Sequence, residues 1–306
     1  MIYKLGIISQ FRDEAPYLAE WVAYHRLVGV DHFWLYDDGS SDDWRSVLGP
    51  HLAEGIVEVL PLPEQYAQGV PTAIKQPATF RDGLLRARGE ARWVAVIDAD
   101  EFLLPRTEAT VPECLDLHFS EASGIYVNWR MFGTNRQIVP SGKPLLTALT
   151  ACSKPYHAEN ANGKSLVKPE HVAVDRVWSP HHFPLLPEER YLDSGGNEIF
   201  FTTRHGREDL LTTGYHFEPA LRINHYNLRD ELFFAANRVP RARAGQLPGK
   251  SLDRLIEHYD SFGKCQNRDI IDFLDKHHPA GFATIWADPE RVPNGRRYDP
   301  DTTRRA

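Results

Sequence analysis

The sequence predicts an α/β protein, and two observations carry that prediction. Short apolar runs of strand length alternate with longer segments whose apolar residues recur at helical spacing. The early apolar runs end in acidic residues, near Asp13, Asp38 and Asp98. Repeated β-α-β units predict a mostly parallel sheet flanked by helices, with right-handed crossovers. Because ligands bind at the carboxyl ends of parallel strands, the acidic clusters predict a site at one edge of that sheet.

The elements follow in order along the chain. Leu5–Ser9 predicts the first strand, and Pro16 stands where the first helix is expected to start. Further strands are predicted over Val30–Tyr36, Ile56–Leu60, Trp93–Ile97 and Gly124–Met131, and further helices over Trp44–Leu52 and Thr72–Glu90. The second half is otherwise irregular, with a helix predicted over Arg229–Val239 that ends near Pro240.

The composition excludes several classes of protein. The chain has 306 residues, of which 42% are hydrophobic and 25% charged, as is typical of a folded globular protein. A formal net charge of −7 argues against nucleic-acid binding through Arg238, Arg241 and Arg243, since such binding needs a basic surface. The three cysteines form neither a disulfide framework nor a metal-ligand pattern, which predicts a reducing compartment. No signal peptide and no membrane-spanning run is evident, so a cytoplasmic protein is expected, with peripheral contact at the inner face of a membrane left open.

The most informative segment is Trp93–Leu103, in which an apolar strand runs into Asp98, Asp100 and Glu101. Like charges this close stay ionised only when a cation or a hydrogen-bond network compensates them. Carboxylate oxygens suit hard divalent cations such as Mg²⁺ or Mn²⁺, which in turn bind phosphates. Asp98 and Asp100 lie two residues apart, so they are expected to point the same way on an extended chain. The segment predicts a metal–diphosphate site, whereas an isolated Asp-x-Asp is more often a strand end with solvated acids.

Three segments together resemble a known family. They are Gln10–Glu14 with the Trp21 and His25 that follow, Tyr36–Asp42, and Trp93–Phe102. The combination resembles glycosyltransferases of the GT-A fold, in the family 2-like branch near family 92, also called domain of unknown function 23. The match covers about residues 3 to 105 and continues more loosely through Trp129–Gly133, Lys164–Pro169 and Asn224–Tyr226. The resemblance implies a Rossmann-like, mostly parallel sheet, a sugar-nucleotide donor, a divalent cation and inversion at the anomeric carbon.

The resemblance also implies roles for the acidic residues. Asp98 would lean towards the ribose and Asp100 towards the metal, with a metal shared by both as the open alternative. His225 is the candidate third metal ligand, and the adjacent His181 and His182 are its rivals. Asp38 would contact the base or the ribose of the donor, although a turn with capping acids is the structural alternative for that segment.

Several further residues are candidates for donor binding or catalysis. Arg12, Glu14, Arg81, Lys164 and Lys168 are predicted to contact the nucleotide or its phosphates, against the alternative of solvated surface charges. The catalytic base is not identified by any motif, and the candidates are Asp193 and Glu198 in a Gly-rich stretch. Trp129 and Phe132 are either a sugar-stacking platform or buried aromatic residues.

The sequence therefore predicts a metal-dependent, inverting glycosyltransferase with a UDP-linked donor. One domain is expected over residues 1–288, with a donor-binding half at 1–105, an acceptor-side half at 106–288 and a polar tail at 289–306. The expected acceptor is a glycan or lipid-linked sugar of an envelope polysaccharide. One alternative, a sugar nucleotidyltransferase, usually has a Gly-rich phosphate loop after its first strand, and Gln10–Glu14 contains no glycine. The other is a catalytically inactive protein that binds carbohydrate or nucleotide.

Overall fold

The structure is a computed structural model that describes residues 1–62, 70–140, 143–204, 207–211, 219–243 and 251–280. The predicted polar tail at 289–306 lies outside the described residues. Within the described ranges, no helix is both long and apolar enough to cross a membrane.

The first third alternates strands and helices as the apolar pattern predicts. In chain order the elements are β1 (Tyr3–Phe11), α1 (Ala15–Leu27), β2 (His32–Asp37), α2 (Trp44–Ala53), β3 (Val57–Pro61), α3 (Thr72–Ala87) and β4 (Ala91–Val96). Strand β1 pairs in parallel with both β2 and β4, and β2 pairs in parallel with β3. The predicted α/β class is confirmed, and the carboxyl ends of β1, β2 and β4 meet at one edge of the sheet.

The rest of the chain widens this sheet with strands of both directions. The elements are β5 (Glu101–Pro105), α4 (Val111–His118), β6 (Gly124–Met131), α5 (Leu145–Ala148), β7 (Ala151–Cys152), β8 (Gly163–Val167), β9 (Tyr191–Asp193), β10 (Glu198–Arg204), β11 (Arg207–Leu211), β12 (Leu221–His225), α6 (Glu231–Phe233), α7 (Val239–Arg243), α8 (Leu252–Asp260), β13 (Cys265–Gln266) and α9 (Asp269–His277). Strand β8 lies antiparallel between β4 and β6. Strands β9 and β12 both pair in parallel with β6, and β12 also pairs with β5. This arrangement brings the end of β12 beside the turn after β4. That turn contains Asp98, Asp100 and Glu101 and is called the acidic turn below.

Two apolar cores cover the two faces of the sheet. Ile7 belongs to the core that includes Trp21 of α1, whereas its neighbour Ile8 belongs to the core that includes Phe80 of α3. Successive side chains of a strand point to opposite faces, so a continuous apolar run such as β1 serves both cores at once. Helices therefore hold the central strands from both sides and fix the loops at their carboxyl ends.

One predicted helix end is wrong. The helix after β12 was expected to end near Pro240, but α6 leads into a π-helical turn over Phe234–Arg238 and α7 continues to Arg243. A proline cannot donate to a regular turn, and its ring crowds the carbonyl four residues earlier. A wider turn before the proline is one of the known ways in which a helix accommodates that defect.

Substitution of Gly163 tests the tight pairing of β6 and β8, which sets the position of Lys164. A methyl group at Gly163 would lie 2.1 Å from the carbonyl oxygen of Val127, a backbone atom that can move only if the strands separate. We expect Gly163→Ala to lower the free energy of unfolding by about 3 kcal/mol. Gly263→Ala is the control, because its nearest atom would be 3.9 Å away. Equal stability of the two variants in chemical denaturation would contradict this account.

Candidate active site

The acids of the Trp93–Leu103 segment lie in a tight turn between β4 and β5. Strand β4 ends at Val96, and the Glu101 N–H donates to the Asp98 carbonyl at 3.1 Å. The extended chain on which a shared direction of Asp98 and Asp100 was predicted is therefore absent from this described segment, because the chain turns there. The two carboxylates contact different cations, Lys164 and Arg229.

Asp98 forms an ion pair with Lys164 of β8. Lys164 Nζ lies 2.9 Å from Asp98 Oδ2, and its side chain is only 1% exposed. The Gln76 amide of α3 donates to Asp98 Oδ1 at 3.3 Å. Burial opposes ionisation of Asp98, but the Lys164 ammonium outweighs it and lowers the pKa of the carboxyl. Asp98 is therefore charged in the free protein and holds Lys164 at the carboxyl end of β4.

Asp100 forms an ion pair with Arg229, a buried residue that follows β12. The guanidinium lies 3.1 Å from Asp100 Oδ2 and donates to Glu14 Oε2 at 2.6 Å. Arg229 thereby joins the start of α1 to the acidic turn. Glu14, which was predicted to contact the sugar-nucleotide donor, is one of the two acids that Arg229 contacts. Arg229 was not among the residues predicted from the sequence, and the signal that could have indicated it is its place four residues after His225.

Buried ligand atoms without hydrogen bonds meet beside this ion pair. Asp100 Oδ1, Glu101 Oε1 and His225 Nδ1 make no hydrogen bond within the described part of the chain. His225 Nε2 lies 3.5 Å from Asp100 Oδ1, and His225 Nδ1 lies 4.0 Å from Glu101 Oε1. Burial lowers the pKa of His225, which keeps the imidazole neutral, and raises the pKa of Glu101 to about 7. A neutral imidazole and a carboxylate oxygen fit a divalent cation, so Asp100 and His225 are the pair that could hold one.

Asp38 lies in a cleft at the carboxyl ends of β2 and β3, on the same edge of the sheet as the acidic turn. Lys75 of α3 donates to both carboxylate oxygens of Asp38, at 2.5 and 2.7 Å, and the Gln10 amide donates at 3.1 Å. The cleft has a volume of about 720 Å³, and its lining includes Asp38, Lys75, Trp44 and the largely exposed Arg12. Lys75 was missed by the sequence analysis because nothing in its local sequence distinguishes it from a surface helix lysine.

Other acids at this edge form hydrogen bonds between the loop after β1 and the loop after β2. The Ser41 N–H donates to Asp13 Oδ1 at 2.6 Å, and the Asp13 N–H donates to the Ser40 hydroxyl at 3.0 Å. The Ala15 N–H donates to Asp42 Oδ2 at 2.7 Å at the start of α1. The alternative of a turn with capping acids, weighed for Asp37–Ser40, is correct for Asp37, whose Oδ1 accepts from the Ser40 N–H at 2.8 Å, while Asp38 lines the cleft.

Two predicted donor contacts lie elsewhere. Arg81 donates to the carbonyl of Val174 at 3.2 Å and to that of Asp175 at 2.7 Å, so it holds a loop against α3. Lys168 lies over the Trp93 ring at 5.0 Å, at the amino end of β4. Because β8 runs antiparallel to β4, its Lys164 reaches the acidic turn and Lys168 points to the opposite end.

The two candidates for the catalytic base lie on the β9–β10 hairpin. Asp193 Oδ1 accepts hydrogen bonds from the N–H groups of Gly195 and Asn197, both at 2.9 Å. The Asp193 carboxylate therefore stabilises the turn between β9 and β10. Glu198 lies 3.6 Å from Arg190 on the surface. Strands β6 and β8 separate this hairpin from β4 and its acidic turn.

The aromatic and histidine candidates are buried around His225. The Trp129 ring lies 4.5 Å from the His225 ring and 5.6 Å from that of His181, between centroids. Phe132 stacks on Tyr226 at 4.4 Å, so the alternative of buried aromatic residues is correct. Burial lowers the pKa of His181 to about 4, and its Nδ1 lies 3.0 Å from the Gly163 carbonyl. His182 lies near Asp209, at 3.4 Å.

The sequence is similar to one protein family in two separate comparisons, with a family profile and with individual proteins. Residues 8–199 match the sequence profile described as "Glycosyltransferase family 92". A glycosyltransferase family 92 protein of Ricinus communis is 27% identical over 197 residues, which cover 63% of this chain and 33% of that protein. One of Oryza sativa subsp. japonica is 27% identical over 200 residues, which cover 63% and 32%. The chain thus spans about a third of the length of these curated relatives.

Comparison with solved structures gives a looser likeness. The crystal structure of residues 1–349 of TarS from S. aureus has a TM-score of 0.35 and 14% identity, and the match covers 62% of this chain and 60% of that one. A likeness at this level establishes no correspondence between individual residues.

Replacement of Arg229 tests whether the buried ion pairs hold the site together. Arg229→Ala leaves Asp100 and Glu14 without their cation, so we expect a loss of about 3–5 kcal/mol in the free energy of unfolding. Arg136→Ala is a matched control. Both arginines have a positive φ, of 54° and 58°, but Arg136 is exposed and lies 3.7 Å from Asp260.

The control should cost less than about 1 kcal/mol, because exposed ion pairs contribute little. Urea denaturation of the two variants measures the difference. Similar losses in both would mean that backbone strain, and not the buried charges, sets the cost.

Proposed function

We propose a sugar-transfer reaction for this chain, which belongs to glycosyltransferase family 92, since the profile of that family matches more than half of its length. The donor in this proposal is a nucleotide-activated sugar, and the reaction needs a divalent cation. The observation that carries the proposal is the meeting of Asp100 and His225, whose buried atoms Asp100 Oδ1 and His225 Nδ1 make no hydrogen bond among the described residues. The pair lies at the same edge of the sheet as the cleft that contains Asp38.

The cleft is the proposed site of the nucleoside. Asp38 is a carboxylate, which only accepts hydrogen bonds, and it suits the N–H of a base such as uracil or a ribose hydroxyl. Lys75 and Gln10 hold it in one orientation. Trp44 adds an apolar wall to the same cleft. These features support a UDP-linked donor with its base at the carboxyl end of β2.

The acidic turn is the proposed site of the diphosphate. Asp100 and His225 would hold Mn²⁺ or Mg²⁺, and the bound cation would neutralise charge on the departing diphosphate. Lys164 and Arg229 add fixed positive charge at the same edge, and each is oriented by an acid of the turn. Gln76 and Lys75 are consecutive residues of α3, so one helix connects the nucleoside cleft to Asp98.

The proposed step is a single displacement at the anomeric carbon. The acceptor hydroxyl attacks that carbon as its bond to the diphosphate oxygen breaks, and the acceptor proton passes to a general base. A single displacement inverts the configuration of the sugar. The proposed acceptor is a glycan or a lipid-linked sugar.

Asp100→Asn tests the proposal directly. The variant keeps the size of the side chain but weakens cation binding, so we expect transfer to fall by roughly 100-fold or more, since several kcal/mol of charge stabilisation is at stake. Asp116→Asn is the control, because Asp116 is an exposed residue paired with Arg92 at 2.7 Å and should leave the rate unchanged. A screen of UDP- and GDP-sugars with and without Mn²⁺, read by release of the nucleoside diphosphate, supplies the rates.

Two results would refute the proposal. One is full, metal-dependent turnover by Asp100→Asn. The other is absence of Mn²⁺-dependent UDP binding by the unmodified chain in calorimetry, which would favour an inactive binding protein. Circular dichroism of each variant shows whether a lost activity reflects a lost fold.

A further inference from the structure

A second group of metal-ligand side chains lies at the opposite end of β5 and β12 from the acidic turn. Glu108, Cys114 and His118 each offer one ligand atom, and the three atoms lie within 4.8 Å of one another. Strand β5 begins at Glu101, beside the acidic turn, and ends at Pro105, shortly before this group. At about 3.3 Å per residue, roughly 13 Å of strand separates the two places.

Local structure brings two of these ligands together on one helix. Cys114 and His118 are four residues apart on α4, which makes them neighbours on the helix surface. A capping box between Thr110 and Glu113 sets the start of that helix. Glu108 lies in the preceding loop, where the Thr107 hydroxyl donates to its Oε1 at 2.6 Å. The helix and the loop therefore hold the three ligands before any ion arrives.

The ligand atoms of Glu108, Cys114 and His118 lie close together, and one carboxylate oxygen of Glu108 lacks a hydrogen bond among the described residues. His118 Nε2 lies 3.0 Å from Glu108 Oε1, while Glu108 Oε2 is buried and makes no hydrogen bond to any residue that the structure describes. Cys114 is fully buried, and its thiol makes a long contact, 3.6 Å, to the Ala220 carbonyl. Burial and the adjacent Glu108 carboxylate raise the pKa of the Cys114 thiol, so a metal would have to replace its proton.

We propose that Glu108, Cys114 and His118 form a zinc site, distinct from the proposed cation site of the acidic turn. Thiolate, imidazole and carboxylate are the usual protein ligands of Zn²⁺, whereas Mg²⁺ and Mn²⁺ prefer oxygen ligands. Three protein ligands leave one position of a tetrahedral ion for water or a small anion. His118 also lines a cavity of about 410 Å³ with Arg106 and the turn at residues 194–196, and this cavity gives the fourth position access to solvent.

Zinc bound there would join two parts of the chain. Glu108 comes from the loop before α4, and Cys114 and His118 come from α4. An ion that binds the folded state and not the unfolded state raises the melting temperature. We therefore expect Zn²⁺ to raise the melting temperature of the metal-free chain by several degrees.

Cobalt(II) is the probe for the proposed ligands, because a thiolate bound to it gives a charge-transfer absorption that oxygen and nitrogen ligands do not. The full chain, stripped of metal, is titrated with Co²⁺ alongside Cys114→Ser, His118→Gln, Cys265→Ser and Asp100→Asn. The band should appear in the unmodified chain, in Cys265→Ser and in Asp100→Asn. It should vanish in Cys114→Ser, and His118→Gln should bind Co²⁺ more weakly by roughly tenfold or more.

The proposal is overturned if the unmodified chain gives no charge-transfer band, if Cys114→Ser keeps the band, or if Cys265→Ser loses it. Loss of the band in Asp100→Asn, with the fold retained, would overturn it as well, since cobalt binding at Glu108, Cys114 and His118 would then depend on the acidic turn and the two sites would not be distinct. Circular dichroism of the metal-free variants, with His118→Gln as a replacement at a partly exposed side chain, separates loss of a ligand from loss of the fold.

Discussion

Compensation of buried carboxylates is the constraint on which this structure depends. Three acids at the carboxyl ends of the central strands are matched by three cations, with Lys75 on Asp38, Lys164 on Asp98 and Arg229 on Asp100. The side chains of these cations are 7%, 1% and 3% exposed. Charges that far from water need close partners, because desolvation otherwise costs several kcal/mol for each ion. These ion pairs hold the three carboxylates in place at the edge of the sheet where a ligand can reach them.

The same ion pairs give the proposed reaction its geometry. Each cation comes from a different element, respectively α3, β8 and the segment after β12, so the site forms only when the sheet and its helices are assembled. Groups that are oriented before a ligand arrives need little reorganisation during the reaction, and such fixed charges are the main means by which enzymes stabilise a charged transition state. Asp100 Oδ1 and His225 Nδ1 make no hydrogen bond among the described residues, and the proposed cation would bind there.

The chain places two different ligand chemistries at the two ends of β5 and β12. The acidic turn offers carboxylate oxygens and a neutral imidazole, which suits Mn²⁺ or Mg²⁺ near a diphosphate. The Glu108, Cys114 and His118 group includes a thiol, which suits Zn²⁺. In these two proposals, ligand softness distinguishes an exchangeable cation beside the diphosphate from a zinc ion that stabilises the scaffold.

The sequence by itself determined the α/β class, the order of the first seven elements, the family and the position of the acids at strand ends. Those features follow from apolar spacing and from residues close together in the chain, such as Asp98, Asp100 and Glu101. Only the tertiary structure decided which basic side chain pairs with which acid. Glu14 and Arg229 are 215 residues apart in sequence, and the direction of β8 sends Lys164 to the acidic turn and Lys168 away from it. A local pattern cannot show which distant cation will lie on which acid, because strand order and direction, and not spacing along the chain, bring the two together.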